Sequence, residues 1–101
     1  MSIEYCAGCR WMLRGAWLAQ ELLTTFDGAL AEVALIPNYD GNGTFECVLS
    51  TGEGDSYSLW SRSEAGRFPE SKELKQRVRD VLDPERSLGH SDSAAKTSSD
   101  G

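Results

Sequence analysis

A chain of 101 residues, 40% hydrophobic and 26% charged, has room for one domain that buries roughly 60–70% of its unfolded surface, and its composition is that of a globular protein. A formal net charge of −6 removes the counterion-release term that drives binding to phosphate backbones, so nucleic acid is not an expected partner. No apolar stretch approaches the roughly 18–20 residues that cross a bilayer, and no basic, apolar leader opens the chain, so a cytoplasmic protein without a membrane partner is expected.

Ile3 and Tyr5 alternate with Ser2 and Glu4, the period of a half-buried strand that ends at Cys6. From about Cys9 to Phe26, Met12, Ala16, Ala19, Leu23 and Phe26 recur at helical spacing. Leu13 and Trp17 widen that stripe, which places Trp17 in the core. Gly28 closes the helix in "TFDG" because it enters the left-handed region without steric cost.

"AEVALIP" reads as a strand covered on both sides and stopped by Pro37, and the turn formers of "NYDGNGT" lead to a strand in "TFECVLS". "TGEGD" turns the chain into "SYSLWS", with Tyr57 and Leu59 inward and Trp60 on the other face, which completes an antiparallel hairpin. Leu74, Val78, Val81 and Leu82 then mark a second helix that starts near Pro69 and ends before Pro84. Its Lys72, Lys75, Arg77 and Arg79 are expected mostly toward solvent.

Residues 85–101 contain a single large apolar residue, Leu88, and are expected to be a disordered tail behind a domain of residues 1–84. The order β-α-β-β-β-α predicts an α/β fold: a parallel crossover, a hairpin that extends the sheet with antiparallel strands, and two helices that cover it.

The three cysteines include Cys6 and Cys9, which fall in the loop between the first strand and the first helix. In α/β folds that end of the strands carries chemistry. Unpaired amides and the helix dipole favour a thiolate there, Arg10 and Arg14 add positive charge, and Ala7 and Gly8 leave the loop open and pliable. Two intervening residues let the sulfurs close into a disulfide, so one thiol can resolve a mixed disulfide formed by the other.

A zinc knuckle and a pair of buried thiols are the competing readings. A closed zinc site needs about four ligands, and the remaining candidates are Cys47, in a strand interior, and His90, in the tail, so no metal site is expected. Cys47 alternates with Phe45 and Leu49 and is expected in the core. Trp11, beside Cys9, is either packed or part of a substrate or partner surface. Phe68 either anchors the second helix or reaches the cysteine loop.

"YCAGCRW", "EVALIP", "LWSR" and "GRFPESKELKQRVRD", in that order, resemble the selenoprotein W-like (Rdx) family, which includes selenoproteins T and H, over Ser2 to Pro84. The resemblance implies a thioredoxin-like fold with a four-stranded mixed sheet, and thiol redox chemistry often linked to glutathione. It aligns Cys9 with the selenocysteine position and Cys6 with the family's cysteine, so this chain is expected to be a cysteine-only member with slower peroxide chemistry. No proline before Phe45 matches the substrate-orienting proline of thioredoxins.

The expected function is that of a thiol-disulfide oxidoreductase or thiol-dependent antioxidant in cell redox homeostasis. Cys6 and Cys9 would cycle without a bound cofactor, with glutathione, peroxide or a protein disulfide as exchange partner. The alternative is a redox-sensitive protein-binding module without turnover. Which thiol attacks is left open: Cys6 is expected at the more exposed edge of the loop, and Cys9 in the first helical turn, nearer the dipole.

Overall fold

The computed structural model describes residues 1–84; residues 85–101, expected to form a disordered tail and containing Leu88 and His90, lie outside the described residues. The elements are strand β1 (Ser2–Cys6), helix α1 (Met12–Thr25), strands β2 (Ala34–Asn38), β3 (Phe45–Ser50) and β4 (Ser56–Ser61), the one-turn helix α2 (Arg62–Ala65) and helix α3 (Ser71–Leu82). The expected order is present, with α2 added between β4 and α3. Among the described residues no helix is long and apolar enough to cross a membrane.

The strands form one mixed sheet in the order β2-β1-β3-β4. β1 and β2 run parallel, with Ser2 opposite Ala34 and Cys6 opposite Asn38, while β3 lies antiparallel to both β1 and β4. Because β3 pairs with β1, β2 is left as an edge. This corrects the expectation that "AEVALIP" is covered on both sides: Ile36 is 44% exposed and Pro37 is exposed inside the strand. An edge strand tolerates a residue that has no amide hydrogen to donate.

Ile3, Tyr5, Phe45, Cys47 and Leu49 project from one face of the sheet into a cluster with Leu18, Ala19, Leu22 and Phe26 of the first helical segment and Leu74 and Val78 of α3. Both long helices therefore cover the same face, and α1 also touches α3.

The buried residues of α1 are Gly15, Leu18, Ala19 and Leu22, whereas Met12, Leu13, Trp17 and Leu23 are 48%, 78%, 52% and 38% exposed. Trp17 is thus a surface residue, contrary to expectation. Apolar residues occupy most of this helix's circumference, so two overlapping stripes fit the helical period, and the glycine that marks the true contact line adds nothing to an apolar pattern. A Cβ on Gly15 would sit 3.4 Å from Leu35 Cδ2 and 3.5 Å from Ile3 Cγ2, ordinary contact distances that place this residue directly against the side chains of the sheet. Gly28, at φ 85°, takes the left-handed turn after α1 as expected.

In β4 the pairing passes from Cys47↔Trp60 to Val48↔Ser58, and Leu59 is the extra residue of a bulge. Leu59 and Trp60 are consequently both buried, and Tyr57 is 40% exposed, against the strict alternation expected.

Helix α3 is entered through Pro69 and Glu70, whose amide donates to Glu73 Oε1 at 2.9 Å. Its basic side chains do more than face solvent. Lys75 reaches Glu21 of α1 at 3.1 Å, and Arg77 donates to the Leu59 carbonyl at 2.7 Å while lying over the Trp60 ring. They tie α3 to its neighbours through long side chains whose stems also cover apolar surface.

Candidate functional site

β1 ends at Cys6 and α1 starts at Met12, so residues 7–11 form a turn rather than the first turn of the helix. The loop is held from both sides of β1: the Cys6 amide donates to the Thr44 carbonyl and the Ala7 amide to the Asn38 carbonyl, each at 2.8 Å. Within it the Arg10 amide donates to the Ala7 carbonyl at 3.0 Å and the Trp11 amide to the Cys6 carbonyl at 3.4 Å. Arg10 has φ 62°, a left-handed conformation that costs a residue with a Cβ about 1–2 kcal/mol and keeps the helix from starting earlier. Apolar spacing carries no sign of that interruption.

Cys6 and Cys9 are joined by a disulfide with their Cα atoms 5.3 Å apart, and the Cys9 amide donates to Cys6 Sγ at 3.2 Å. Cys6, paired on both sides as the last residue of β1, is 1% exposed, while Cys9 on the turn is half-buried. Both positional expectations are thereby corrected: Cys9 is the more accessible sulfur, and it precedes α1. The helix N-terminus has Trp11 as its cap residue and no side-chain cap, so its first-turn amides lack a side-chain acceptor.

An aromatic stack flanks the loop. Phe68 meets Trp11 edge-on with ring centroids 4.7 Å apart and the buried Phe45 at 5.1 Å, so the two aromatic candidates lie together. The Arg14 guanidinium lies 4.0 Å from the Phe68 centroid, and Arg62 lies 4.8 Å from Trp11 and 5.1 Å from Phe68. Arg10 and Gly8 are exposed, and nothing lies within 4 Å of the place a Gly8 Cβ would take, which leaves the loop open at that residue.

Cys47 is buried and is not part of the disulfide. Burial, aided by the neighbouring Glu46 carboxylate, pushes its thiol up to about 12, so it stays neutral at physiological pH.

Several contributors were not visible as single residues. Arg62 falls where the strand reading of "LWSR" passes into the unrecognised α2, and it acquires meaning only through the rings it meets. Asn38 and Thr44, whose carbonyls fasten the loop, belong to the turn-rich segment after β2. A signal did exist for these: parallel neighbours end at the same edge of a sheet, so the segment leaving β2 had to pass beside Cys6.

The Rdx family model matches residues 1–80. Of the solved structures, a protein from Bordetella parapertussis is 47% identical, with a TM-score of 0.65 over 80% of this chain and 94% of its own. A selenoprotein W-related protein from Vibrio cholerae is 45% identical, with a TM-score of 0.67 over 81% of this chain and 94% of its own. None of the curated proteins matches this chain. The four-stranded mixed sheet with two main helices is the thioredoxin-like α/β fold shared with these neighbours. The bonded pair at the head of α1 sits inside the matched region, and the chain belongs to the Rdx family, the selenoprotein W-like group that its cysteine loop and "GRFPE" segment resemble.

Proposed function

We propose that this protein is a thiol-disulfide oxidoreductase in which Cys9 attacks and Cys6 resolves. The single observation that carries the reading is the asymmetry of the bonded pair, with Cys9 accessible and Cys6 buried beneath it as acceptor of the Cys9 amide. Family membership supports a redox role for the pair.

In the reduced protein the Cys9 thiolate attacks one sulfur of a disulfide RSSR. A Cys9–S–S–R bond forms, the RS–SR bond breaks, and the leaving thiolate takes a proton to become RSH. The Cys6 thiolate then attacks the Cys9 sulfur, the Cys6–Cys9 bond forms, and the second RSH departs. Two electrons pass from the dithiol to RSSR, and the two thiol protons end on the two RSH molecules. Run in reverse, attack on Cys9 expels Cys6 as a thiolate, and the Cys9 amide, 3.2 Å from that sulfur, stabilises the charge as it develops.

Residues 7–11 present Cys9, and Arg10 and Arg14 add positive potential that favours the thiolate. A glutathione-linked activity within cell redox homeostasis follows this scheme with glutathione disulfide as RSSR. With a peroxide ROOH the Cys9 thiolate instead attacks an oxygen, the O–O bond breaks, ROH leaves and a Cys9 sulfenic acid remains, which Cys6 converts to the Cys6–Cys9 disulfide with loss of water. Two glutathione thiols or a protein dithiol return the pair to the dithiol. The test is steady-state reduction of 2-hydroxyethyl disulfide with a thiol donor. Turnover above the uncatalysed rate that is abolished in Cys9→Ser and Cys6→Ser supports the reading, and turnover that survives Cys9→Ser overturns it.

The alternative, a redox-sensitive binding module without turnover, is favoured by one observation: Met12, Leu13 and Trp17 are exposed on α1 next to the loop, and Tyr39, one residue beyond Asn38, is 81% exposed. A partner that binds only one redox form of a protein inactive in the same assay would favour this reading.

A further inference from the structure

We infer that Arg14 and Arg62, stacked on Phe68 and Trp11 beside the redox loop, form a carboxylate-binding subsite that makes small anionic disulfides the preferred oxidants of the Cys9–Cys6 pair. This inference rests on the redox reading above and adds the substrate class.

The argument starts from where the cations go. On a chain with net charge −6, Arg67, Lys72, Lys75 and Arg79 each stand within 4.0 Å of a carboxylate, and Arg77 donates to a backbone carbonyl. Among the described residues Arg10, Arg14 and Arg62 have no carboxylate partner. Arg10 and Arg14 lie within five residues of Cys9 in sequence, and Arg62 is brought to the same place by its contact with Trp11. Among the described residues, these three arginines without a carboxylate partner thus lie at or beside the redox loop.

The second point is how the two guanidiniums are held. Arg14 lies over Phe68, and Arg62 over both Phe68 and Trp11. A guanidinium held by attraction to a ring face keeps its N–H donors, which the ring does not satisfy as an anionic acceptor would. Arg62 Nε is buried with no hydrogen-bond partner, an arrangement that leaves a charged donor group unsatisfied. With Nε buried, a carboxylate would be taken by the two terminal Nη groups, which offer two parallel hydrogen bonds.

The platform is tied to the reacting sulfurs. Trp11 donates its amide to the Cys6 carbonyl, and Gly43, whose added Cβ would lie 3.6 Å from both Trp11 and Arg62, precedes the residue that accepts the Cys6 amide. A disulfide whose carboxylate engages Arg62 and Arg14 is therefore held at the edge of the cysteine loop. Its negative charge gains from the guanidinium charges, which also stabilise the thiolate that leaves when Cys9 attacks. A cationic disulfide meets the same charges as repulsion.

The test uses the full-length reduced protein and three disulfides of similar size: anionic 3,3′-dithiodipropionate, neutral 2-hydroxyethyl disulfide and cationic cystamine. Each second-order rate constant for forming the Cys6–Cys9 bond is divided by that of a simple dithiol with the same disulfide, which removes leaving-group differences. The inference predicts that the normalised rate is about 10-fold higher for the anionic than for the neutral disulfide, and lower again for the cationic one. The ratio should fall toward unity in Arg62→Gln and at high salt, sit between the two in Arg62→Lys, and be unaltered in Lys72→Gln, a charge removed from α3. Equal normalised rates in the wild-type protein, or a ratio unchanged in Arg62→Gln, would overturn the subsite and leave the redox reading standing. No reaction with any of the three disulfides would overturn the redox reading itself.

Discussion

Truncating Phe68 is the sharpest perturbation of the structure around the cysteine loop. Its ring joins Trp11 from the loop, Phe45 from β3 and the guanidiniums of Arg14 and Arg62, so one side chain connects the segment before α3 to the start of α1. A fully buried phenylalanine costs about 3–5 kcal/mol when cut to alanine, and Phe68 is half-buried, which scales that term to about 2 kcal/mol. Two edge-on ring pairs add to area burial, each by about 0.5–1.5 kcal/mol, so Phe68→Ala should cost about 2–3 kcal/mol once overlap between the terms is allowed for. Phe68→Leu keeps most of the apolar area and loses the rings, and should cost about 1 kcal/mol. The assay is equilibrium urea unfolding of the oxidised protein, with a double-mutant cycle against Trp11→Leu that should return a coupling of about 0.5–1.5 kcal/mol. A Phe68→Ala variant within about 0.5 kcal/mol of wild type would refute the reasoning, since it would make the stack incidental.

Four further outcomes are expected. Gly15→Ala should stabilise the protein by about 0.5–1 kcal/mol in the same unfolding assay. It removes glycine from a helix, and the new methyl meets Leu35 Cδ2 at 3.4 Å, an ordinary contact; a loss of stability would show that the close approach tolerates no Cβ. Cys47, pushed up to about 12 from an ordinary 9.0, should alkylate near neutral pH about 1,000-fold more slowly than a free thiol in the folded reduced protein, and normally in denaturant. The stability gained by keeping Cys47 neutral is present below pH 9.0 and declines as pH rises toward 12, so Cys47→Val should flatten that alkaline limb. Glu73 is lowered from 4.5 to about 2, first by its hydrogen bonds from Arg67 at 2.8 and 2.7 Å and then by the Glu70 amide. Its contribution is present above pH 4.5 and is lost as pH falls toward 2, so Glu73→Gln should weaken the acid dependence of unfolding in that window.

The order of elements, the position of the cysteine pair and the core role of Cys47 were legible because each rests on local pattern or spacing. What was not legible depends on three-dimensional context. Of the expected helix face, Ala19 and Phe26 are buried, but Met12, Leu13, Trp17 and Leu23 are exposed, because they satisfy the same period as Leu18 and Leu22, and only the approach of α1 to Ile3 and Leu35 at Gly15 selects between the stripes. The bulge at Leu59 broke a strict alternation through a one-residue shift in pairing that no single strand announces. At the site, the left-handed Arg10 delays the start of α1 to Met12 and places Cys9 on a turn, which reverses the exposure expected for the two sulfurs. Arg62 entered the site only when α2 and the Phe68 segment folded back over Trp11.

The central claim, that Cys9 attacks and Cys6 resolves, is tested most directly by mass-mapped trapping. Reduced Cys6→Ser and Cys9→Ser variants are each mixed with 2-hydroxyethyl disulfide, and the modified residue and its rate of modification are read by peptide mapping. The account predicts that Cys6→Ser accumulates a stable mixed disulfide on Cys9 at close to the wild-type initial rate, whereas Cys9→Ser is modified on Cys6 at least about 10-fold more slowly because that sulfur is buried. Faster modification of Cys6 in Cys9→Ser than of Cys9 in Cys6→Ser would contradict it.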